Sequence, residues 1–397
     1  MRHNPKFISM TLFFVMIAVM SGATIWEFWA TAQTASEFPP LAALGPPPIP
    51  ADNKQSVDEN GFPKKDDPKV GLGKMLYFDT RLSGDLALSC ATCHNPDLGW
   101  TDGADIGRGY PGTTHWRNIQ TIINSAYYAK LFWAGSTTSL EKQARGAAKG
   151  GVAGNGEDDM MEERLRQVPE YVRQFKAVFG TEWPELHDAW RAIAAFERTL
   201  IQPDTPFDQY MRGDTDVLSG EAQRGLELFQ GKAGCIRCHN GPMLTDEKYY
   251  NLGLPENPVF EESALHQITF RFEQYAKGVT EDIYRTTKTD LGLYYRMKRK
   301  EDMGKFRTPT LRYLAYTMPY MHNGVFFDLK EVVDFYDAGG GEDPIEGLYG
   351  FGTKTELLKP LNLTDDEKTA LVAFLESLSG EEIKMNPPQL PDYAVMR

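Results

Sequence analysis

Cysteine is scarce in this chain, since only four of its 397 residues are Cys. Four cysteines at this length are too few for a disulfide-dense scaffold. Basic residues are also in deficit, with 42 Lys and Arg against 55 Asp and Glu, for a formal net charge of -13. This balance argues against general nucleic-acid binding, which needs a basic surface. Hydrophobic residues at 41% and aromatic residues at 12% are enough to form cores, which argues against global disorder.

A long apolar run occurs only near the start of the chain. Arg2 and Lys6 precede an apolar run over 7–25, and small residues follow at 30–32. This order is typical of a secretory signal with a cleavage site after Ala32. An uncleaved anchor stays open, because about 20 apolar residues can span a bilayer. We therefore predict a periplasmic protein with a signal peptide or anchor over 1–32, and a possible membrane tether only through residues 7–25.

All four cysteines lie in two CxxCH motifs. CxxCH is the attachment signal for c-type haem, because the two thiols add to the haem vinyl groups and hold the next His beneath the iron. The motifs thus predict two covalent haems, attached through the first motif Cys90, Cys93 and His94 and the second motif Cys235, Cys238 and His239. In each, the His is the expected proximal iron ligand. Such haem is attached outside the cytoplasm, in agreement with the export signal.

Three other uses of these cysteines fit less well. A zinc site needs four ligands close together, whereas Cys90 and Cys235 are far apart in the chain. A thioredoxin-like CxxC is expected near a βαβ pattern, and neither motif has one. A disulfide between the motifs would not require a His after each.

The rest of the chain predicts a mostly α-helical fold with long loops over the haems. Helical periodicity is found over 70–78, over 162–179 with an interruption at Pro169, over 186–201, over 219–230, and after Thr364, which forms a capping box with Glu367.

A weak internal repeat indicates two related domains. Thr121-Ile122 and Ala126-Tyr127 recur as Thr310-Leu311 and Ala315-Tyr316, at a constant offset of 189 residues. Each copy follows a CxxCH motif, as a duplication would require. The predicted organisation is a Pro-rich leader over 33–65, an N-terminal haem domain over 66–204, a C-terminal haem domain over 205–385 and a tail over 386–397.

Several segments resemble the bacterial di-haem cytochrome c peroxidase and MauG superfamily. They are Leu-Ser-Gly at 82–84 with the first CxxCH, Phe-Trp-Ala-Gly at 132–135, Ala-Phe-Glu-Arg-Thr-Leu at 195–200, Phe-Arg-Thr-Pro-Thr-Leu-Arg at 306–312, and Pro-Tyr-Met-His-Asn-Gly at 319–324. The resemblance runs in order from about residue 65 to 380. It implies two cytochrome-c-like domains, with a peroxide-reactive haem at His94 and an electron-handling haem at His239.

The resemblance also implies roles for residues between the haems. Trp133 matches the inter-haem Trp that relays oxidising equivalents, although it could be an ordinary core aromatic. Asn118, Thr317 and Pro319 match calcium-binding positions, the last two through their backbone carbonyls. Oxygen ligands of this kind suit a hard cation.

Tyr336 places the chain in the MauG-like branch by resemblance. Peroxidases of the family have Met as the sixth ligand of the second haem at this position, whereas MauG-like members have Tyr. A phenolate favours Fe(III) and higher oxidation states, so Tyr336 would suit a store of oxidising equivalents. Packing of Tyr336 in a helix is the alternative, with Met318 and Met321 as rival ligands.

The first haem pocket also departs from the peroxidase pattern. Arg108 occupies the place of the distal His, so this haem is expected to be open to hydrogen peroxide, with His115 as a possible substitute ligand. Gln143 matches a distal-pocket Gln. Ala153 occupies the place of the distal acid, which leaves the proton-transferring group unassigned between Glu157 and Asp158.

The resemblance implies a di-haem peroxidase or oxidase. The leading hypothesis is MauG-like oxidation of Trp or Tyr side chains in a periplasmic partner protein, with Trp133, Gln143 and Tyr336 in catalytic roles. The alternative is a cytochrome c peroxidase that takes electrons from a small cytochrome or cupredoxin. A plain electron carrier is disfavoured, because no good sixth ligand is available at the first haem.

Overall fold

The computed structural model describes residues 37–110 and 112–394. The predicted signal or anchor over 1–32 lies outside this part of the chain. Among the described residues, none of the helices is both long enough and apolar enough to cross a membrane. From Phe38 onward the chain forms one compact unit.

Helices dominate the described chain, as predicted. Their bounds are α1 Pro68–Phe78, α2 Cys90–Cys93, α3 Leu140–Lys149, α4 Asp158–Arg166, α5 Pro169–Phe179, α6 Leu186–Glu197, α7 Pro206–Met211, α8 Gly220–Gln230, α9 Val259–Glu262, α10 Ala264–Ala276, α11 Glu281–Thr286, α12 Tyr294–Met297, α13 Leu329–Asp337, α14 Pro344–Tyr349 and α15 Asp365–Ser377.

Strands are limited to two short antiparallel pairs within the described residues. Strand β1 Arg108–Gly109 pairs with β2 Thr113–Thr114, and β3 Tyr249–Tyr250 pairs with β4 Phe306–Arg307. The second pair joins the segment after the second CxxCH motif to the repeat segment that begins at Phe306.

The first half of the protein is the predicted N-terminal domain over 66–204, and the second half is the predicted C-terminal domain over 205–385. In the first half, helix α1 crosses helix α6 in very close contact. A Cβ atom placed on Gly73 of α1 would lie 1.9 Å from the backbone oxygen of Ala192 and 3.0 Å from the Cβ of Phe196, both on α6. Only glycine therefore permits this approach. The two helices enclose a core that includes Leu72, Leu76 and Ile193.

The second half repeats this crossing between α8 and α15. A Cβ atom on Gly225 would lie 1.9 Å from the backbone oxygen of Ala370 and 2.7 Å from the Cβ of Phe374. Gly225 thus corresponds to Gly73, and Phe374 corresponds to Phe196. A separate core surrounds this second pair and includes Phe229 and Leu371.

The repeat read from the sequence extends through the backbone that follows each motif. The isolated bridge Leu131–Thr137 recurs as Tyr320–Phe326. The positive φ angle of 61° at Gly135 recurs as 62° at Gly324. Helix α3 begins at Leu140 and α13 at Leu329, which preserves the offset of 189 residues. The two halves can therefore be compared residue by residue in this region.

The predicted helix over 186–201 is too long, since α6 ends at Glu197. The Thr199 hydroxyl donates to the Phe196 carbonyl at 2.7 Å, and the Leu200 carbonyl accepts a bond from the Asn124 N–H at 2.9 Å. These local and long-range bonds take the place of further helical bonds, which is a common way for Thr to end a helix.

The second half carries an insertion that the sequence analysis did not identify as helical. Helices α9 to α12 lie in it, between the second CxxCH motif and Phe306. Its side chains Phe260, Phe270 and Tyr295 pack in one cluster with Trp116 and Val152 of the first half. The insertion therefore covers part of the first half.

The Pro-rich leader is irregular, and its described part from residue 38 packs on both halves. Leu41 is buried in the second core. The Leu44 N–H donates to Asp208 at 2.9 Å, while the Asn53 side chain donates to Glu141 at 2.8 Å. These contacts fix the leader along the body of the protein.

Candidate functional site

Both CxxCH motifs border one large cavity. Its volume is about 1130 Å³, which exceeds the roughly 300–1,000 Å³ of an ordinary small-ligand site. The residues of the motifs that border it are Cys90, Cys93, His94, Cys235, Cys238 and His239. The structure thus brings together two motifs that are far apart in the chain.

The two motif histidines are oriented in the same way. The Nδ1–H of His94 donates to the Trp100 carbonyl at 3.2 Å, and that of His239 donates to the Leu244 carbonyl at 3.0 Å. Both acceptor residues are fully buried and have positive φ angles, of 61° and 48°. The second ring nitrogen of each His is left for a ligand, which is the usual arrangement of an iron-binding imidazole.

Burial shifts the pKa values of the thiols and imidazoles of the two motifs. Burial raises the pKa of the Cys93 thiol to about 11 and that of Cys235 to about 12, so both are neutral thiols at pH 7. Burial lowers the pKa of both motif histidines. The described residues contain no group of three or more His, Cys, Asp or Glu that could hold a metal ion. Each motif supplies two thiols and one imidazole, which is the donor set of a covalently attached haem.

Tyr336 lies on helix α13 and borders the cavity at the second motif. Its residue equivalent on α3, at the offset of 189, is Ala147, which borders the cavity at the first motif. The same comparison pairs Gln143 with Val332, and both border the cavity. The part of the cavity at the second motif, the second pocket, therefore has the phenol of Tyr336 and the side chain of Val332. The part at the first motif, the first pocket, has the methyl group of Ala147 and the amide of Gln143 in the equivalent places.

Trp133 lies at the junction of the two halves. Its indole Nε1–H donates to the Asn118 carbonyl at 2.9 Å, and its own carbonyl accepts from the Arg307 N–H at 2.9 Å. Its ring centroid is 6.3 Å from that of His322, which stacks on Phe306 at 3.6 Å. The Trp133 side chain borders the cavity that both motifs share.

The three residues expected to bind calcium lie in the same region. Asn118, Thr317 and Pro319 all border the cavity. The Asn118 N–H donates to the His322 carbonyl at 2.8 Å, which joins the two repeat segments. The loops also meet tightly here, since a Cβ on Gly99 would lie 1.9 Å from the Tyr316 carbonyl oxygen. All three residues thus border the cavity that the two motifs share.

Arg108 and His115, which were expected on the peroxide side of the first haem, both border the cavity. The Arg108 side chain is exposed. The His115 Nδ1 accepts a bond from the Arg117 N–H at 3.3 Å. Arg117 itself pairs with the buried Asp290 at 2.6 and 2.8 Å.

The acids suggested in place of Ala153 are absent from the cavity wall. Glu157 is exposed, and the Asp158 carboxylate pairs with Lys149 at 2.5 Å and with Arg145 at 3.1 Å. The suggestion of Glu157 or Asp158 is therefore not supported. A buried acid that was not predicted from the sequence, Glu197, does border the cavity. No signal in the sequence marks it, because its place at the cavity depends on how α6 packs.

A mostly helical fold with two CxxCH motifs facing one cavity defines a class of two-haem cytochromes. A model of the family described as di-haem cytochrome c peroxidase matches residues 67–216. The protein called cytochrome-c peroxidase IdrP1 of Pseudomonas sp. (strain SCT) is 52% identical over 98% of this chain and 97% of its own. The IdrP1 protein of Denitromonas iodatirespirans is 55% identical over 92% of this chain and 93% of its own.

A solved structure is also similar. The crystal structure of a MauG-like protein associated with microbial copper homeostasis has a TM-score of 0.69 and 29% identity, covering 87% of this chain and 96% of that one. The chain belongs to the di-haem cytochrome c peroxidase and MauG family. It is an enzyme of the peroxidase class, and the family implies two haems and hydrogen peroxide as a substrate.

Proposed function

We propose that this protein is a periplasmic di-haem enzyme that reacts with hydrogen peroxide at the first motif and oxidises an external substrate. By its likeness to MauG-like proteins, that substrate is a Trp or Tyr side chain of a partner protein. The haems, when bound, supply a peroxide-reactive iron and a second redox centre that shares the oxidising equivalents. The two predicted haem domains, over 66–204 and 205–385, hold one haem each by thioether bonds.

The contrast between Ala147 and Tyr336 carries the proposal. The two residues occupy equivalent places on α3 and α13, and both border the cavity. A methyl group at residue 147 leaves the distal side of the first pocket free for peroxide. The phenol at residue 336 can ligate the second iron, and an anionic ligand stabilises higher oxidation states. This asymmetry suits a protein that accepts peroxide at one site and stores oxidising power at the other.

The other residues have supporting roles in this proposal. His94 and His239 would hold the irons when haem is bound, and each ring is fixed by its Nδ1–H bond to a carbonyl. Trp133 relays electrons between the pockets, since its indole borders the shared cavity. Asn118, with the carbonyls of Thr317 and Pro319, binds calcium beside it. Gln143 donates a hydrogen bond to peroxide from the first-pocket wall.

A second candidate is a cytochrome c peroxidase that takes electrons from a small cytochrome or cupredoxin. It is favoured by the name of the two IdrP1 relatives, which share more than half of their residues with this chain. Tyr336 argues against it, because a phenolate ligand makes the second haem a poor acceptor of an electron from a carrier.

The test compares optical and electron paramagnetic resonance spectra of the holoenzyme before and after one equivalent of peroxide. We expect two covalent haems by intact mass, one high-spin and one low-spin ferric haem, and a persistent oxidised state that forms without prior reduction. Tyr336→Phe should change the low-spin signal alone. The control is Tyr349→Phe, because the Tyr349 hydroxyl contacts Thr287 at 3.4 Å, outside the cavity.

Two results would contradict the proposal. One is a wild-type protein with two low-spin haems that do not react with peroxide until half-reduced, which would favour the peroxidase candidate. The other is a low-spin signal that Tyr336→Phe leaves unchanged, which would remove Tyr336 as a ligand.

A further inference from the structure

The first pocket has a wall made of helices α3 and α6. The residues of these helices that border the cavity include Gln143 and Ala147 of α3 and Trp190 and Glu197 of α6. Glu197 is the last residue of α6, and its side chain is buried, with 3% exposure. It is the acid in this wall, and the sequence motif that contains it does not by itself assign it a function.

The repeat shows that Glu197 departs from what packing alone requires. The crossings at Gly73 and Gly225 align Phe196 with Phe374. Glu197 therefore aligns with Leu375, which borders the cavity at the second motif and is also buried. In the second half a leucine fills this place with no polar group to bury. Burying a carboxyl group costs free energy unless the group is paired. The difference points to a chemical use in the first pocket.

Glu197 has one buried carboxyl oxygen without a partner, whereas the other acids that border the cavity are each held by a partner. Its Oε2 is buried and has no hydrogen-bond partner among the described residues. By contrast, Asp290 is paired with Arg117, Glu273 with Lys277 and Glu256 with Thr289.

The charged and titratable groups around Glu197 come from helices α1, α2 and α3 and from the residue that follows α6. That residue, Arg198, donates to Glu141 of α3 at 2.6 Å. Tyr77 of α1 donates to the His94 carbonyl at 3.0 Å, and Cys90 of α2 belongs to the haem-attachment motif. Burial raises the pKa of Glu197 to about 8, with Glu141 adding to this effect and Arg198 opposing it. The carboxyl group is thus mostly protonated at pH 7.

We propose that Glu197 supplies the proton for cleavage of peroxide in the first pocket, in place of the acid missing at residue 153. This proposal rests on the proposed function only in that peroxide reacts at the first motif. Reduction of one hydrogen peroxide to two waters breaks the O–O bond and takes up two electrons and two protons. The reducing substrate of the peroxidase reaction gives up the two electrons, and solvent supplies the second proton. Glu197 gives one proton to the oxygen that departs as the first water, and solvent returns that proton through the cavity.

The experiment is stopped-flow reaction of the holoenzyme with peroxide between pH 6 and pH 9.5. Because the neutral acid is the active form, the wild-type rate should fall as the pH rises through about 8. Glu197→Gln removes the proton and keeps the shape of the side chain. We expect its rate to be lower by about 10²- to 10⁴-fold and to show no step near pH 8. Glu197→Asp should recover part of the rate and the pH step.

Two further measurements separate this role from a structural one. Haem content and the low-spin signal of the second haem should be the same in Glu197→Gln as in wild type. Glu157→Gln, which changes an exposed acid outside the cavity, should keep the wild-type rate and pH profile. The inference is overturned if Glu197→Gln keeps both the rate and the pH step, or if Glu157→Gln loses them.

Failure of this inference and failure of the proposed function can be told apart. If the wild type needs prior reduction before it reacts with peroxide, the proposed function fails. The Glu197→Gln comparison can then be made on the half-reduced enzyme, where it still decides whether Glu197 supplies the proton.

Discussion

Substitution of Gly73 tests the closest helix contact in the first half. In Gly73→Ala the added Cβ would lie 1.9 Å from the Ala192 carbonyl oxygen and 2.5 Å from its carbon. A carbon and a carbonyl oxygen in contact lie about 3.3 Å apart, so α1 and α6 would have to separate by more than 1 Å. Overpacking of this kind costs about 1–3 kcal/mol. It outweighs the helix propensity of about 1 kcal/mol that Ala gains over Gly.

Gly71 provides the matched control on the same helix. A Cβ atom on Gly71 would meet no described atom within 4 Å, so Gly71→Ala should keep or slightly raise the stability. The assay is guanidinium unfolding of the holoenzyme, followed by the high-spin signal of the first haem and the low-spin signal of the second. We expect Gly73→Ala to lower the midpoint of the first signal more than that of the second. Equal stability of the two variants would refute the reasoning.

Two further predictions follow from pairs that the structure describes. Asp208→Asn leaves the buried Arg312 guanidinium without its partner at 2.9 Å, so the free energy of unfolding should fall by about 3–5 kcal/mol in guanidinium titrations. Asp204→Asn, in an exposed pair, should change it by less than about 1 kcal/mol; similar losses in the two variants would contradict this. Asn118→Ala should weaken calcium binding to chelator-treated holoenzyme in calorimetric titration, and a wild type that binds no calcium would remove the site.

Much of the helical content could be predicted because its signals are local. Pro169 separates α4 from α5, since proline occupies the first turn of α5. Thr364 caps α15, with Glu367 completing the box as predicted. The end of α6 was predicted wrongly, because the bond from Asn124 to Leu200 that follows it is long-range and has no trace in the periodicity.

The insertion of α9 to α12 was missed for a different reason. Helix α10 buries Phe270 but leaves Leu265, Ile268 and Phe272 exposed. Apolar residues thus occur on both of its faces, and the contrast between an apolar and a polar face is what reveals a helix in a sequence. Such a helix is recognised only once its neighbours are known.

The candidate site likewise has a part that could be predicted from local sequence and a part that could not. The CxxCH motifs are readable because haem attachment needs five consecutive residues, so the chemistry lies within one short segment. Glu197 could not be assigned from the sequence, because its meaning depends on a comparison with Leu375. That comparison needs the crossings of α1 with α6 and of α8 with α15, which bring together residues more than 100 positions apart.

The difference between the two pockets lies in their side chains rather than in their backbones. Both halves have a glycine-mediated helix crossing and a histidine fixed by a carbonyl, and α3 and α13 begin at equivalent residues. Among the equivalent positions that differ and border the cavity are Gln143, Ala147 and Glu197 in the first half, against Val332, Tyr336 and Leu375 in the second.

These differences suit the first pocket to peroxide cleavage and the second pocket to storage of oxidising equivalents. The first pocket gains an amide and a carboxyl and loses bulk at residue 147, whereas the second gains a phenol among aliphatic groups. Peroxide cleavage needs room and a proton, while storage of oxidising equivalents needs an anionic ligand and few competing proton donors. A duplicated fold can therefore supply two unlike redox sites through changes in the side chains that line its cavity, while the glycine-mediated helix crossings are kept.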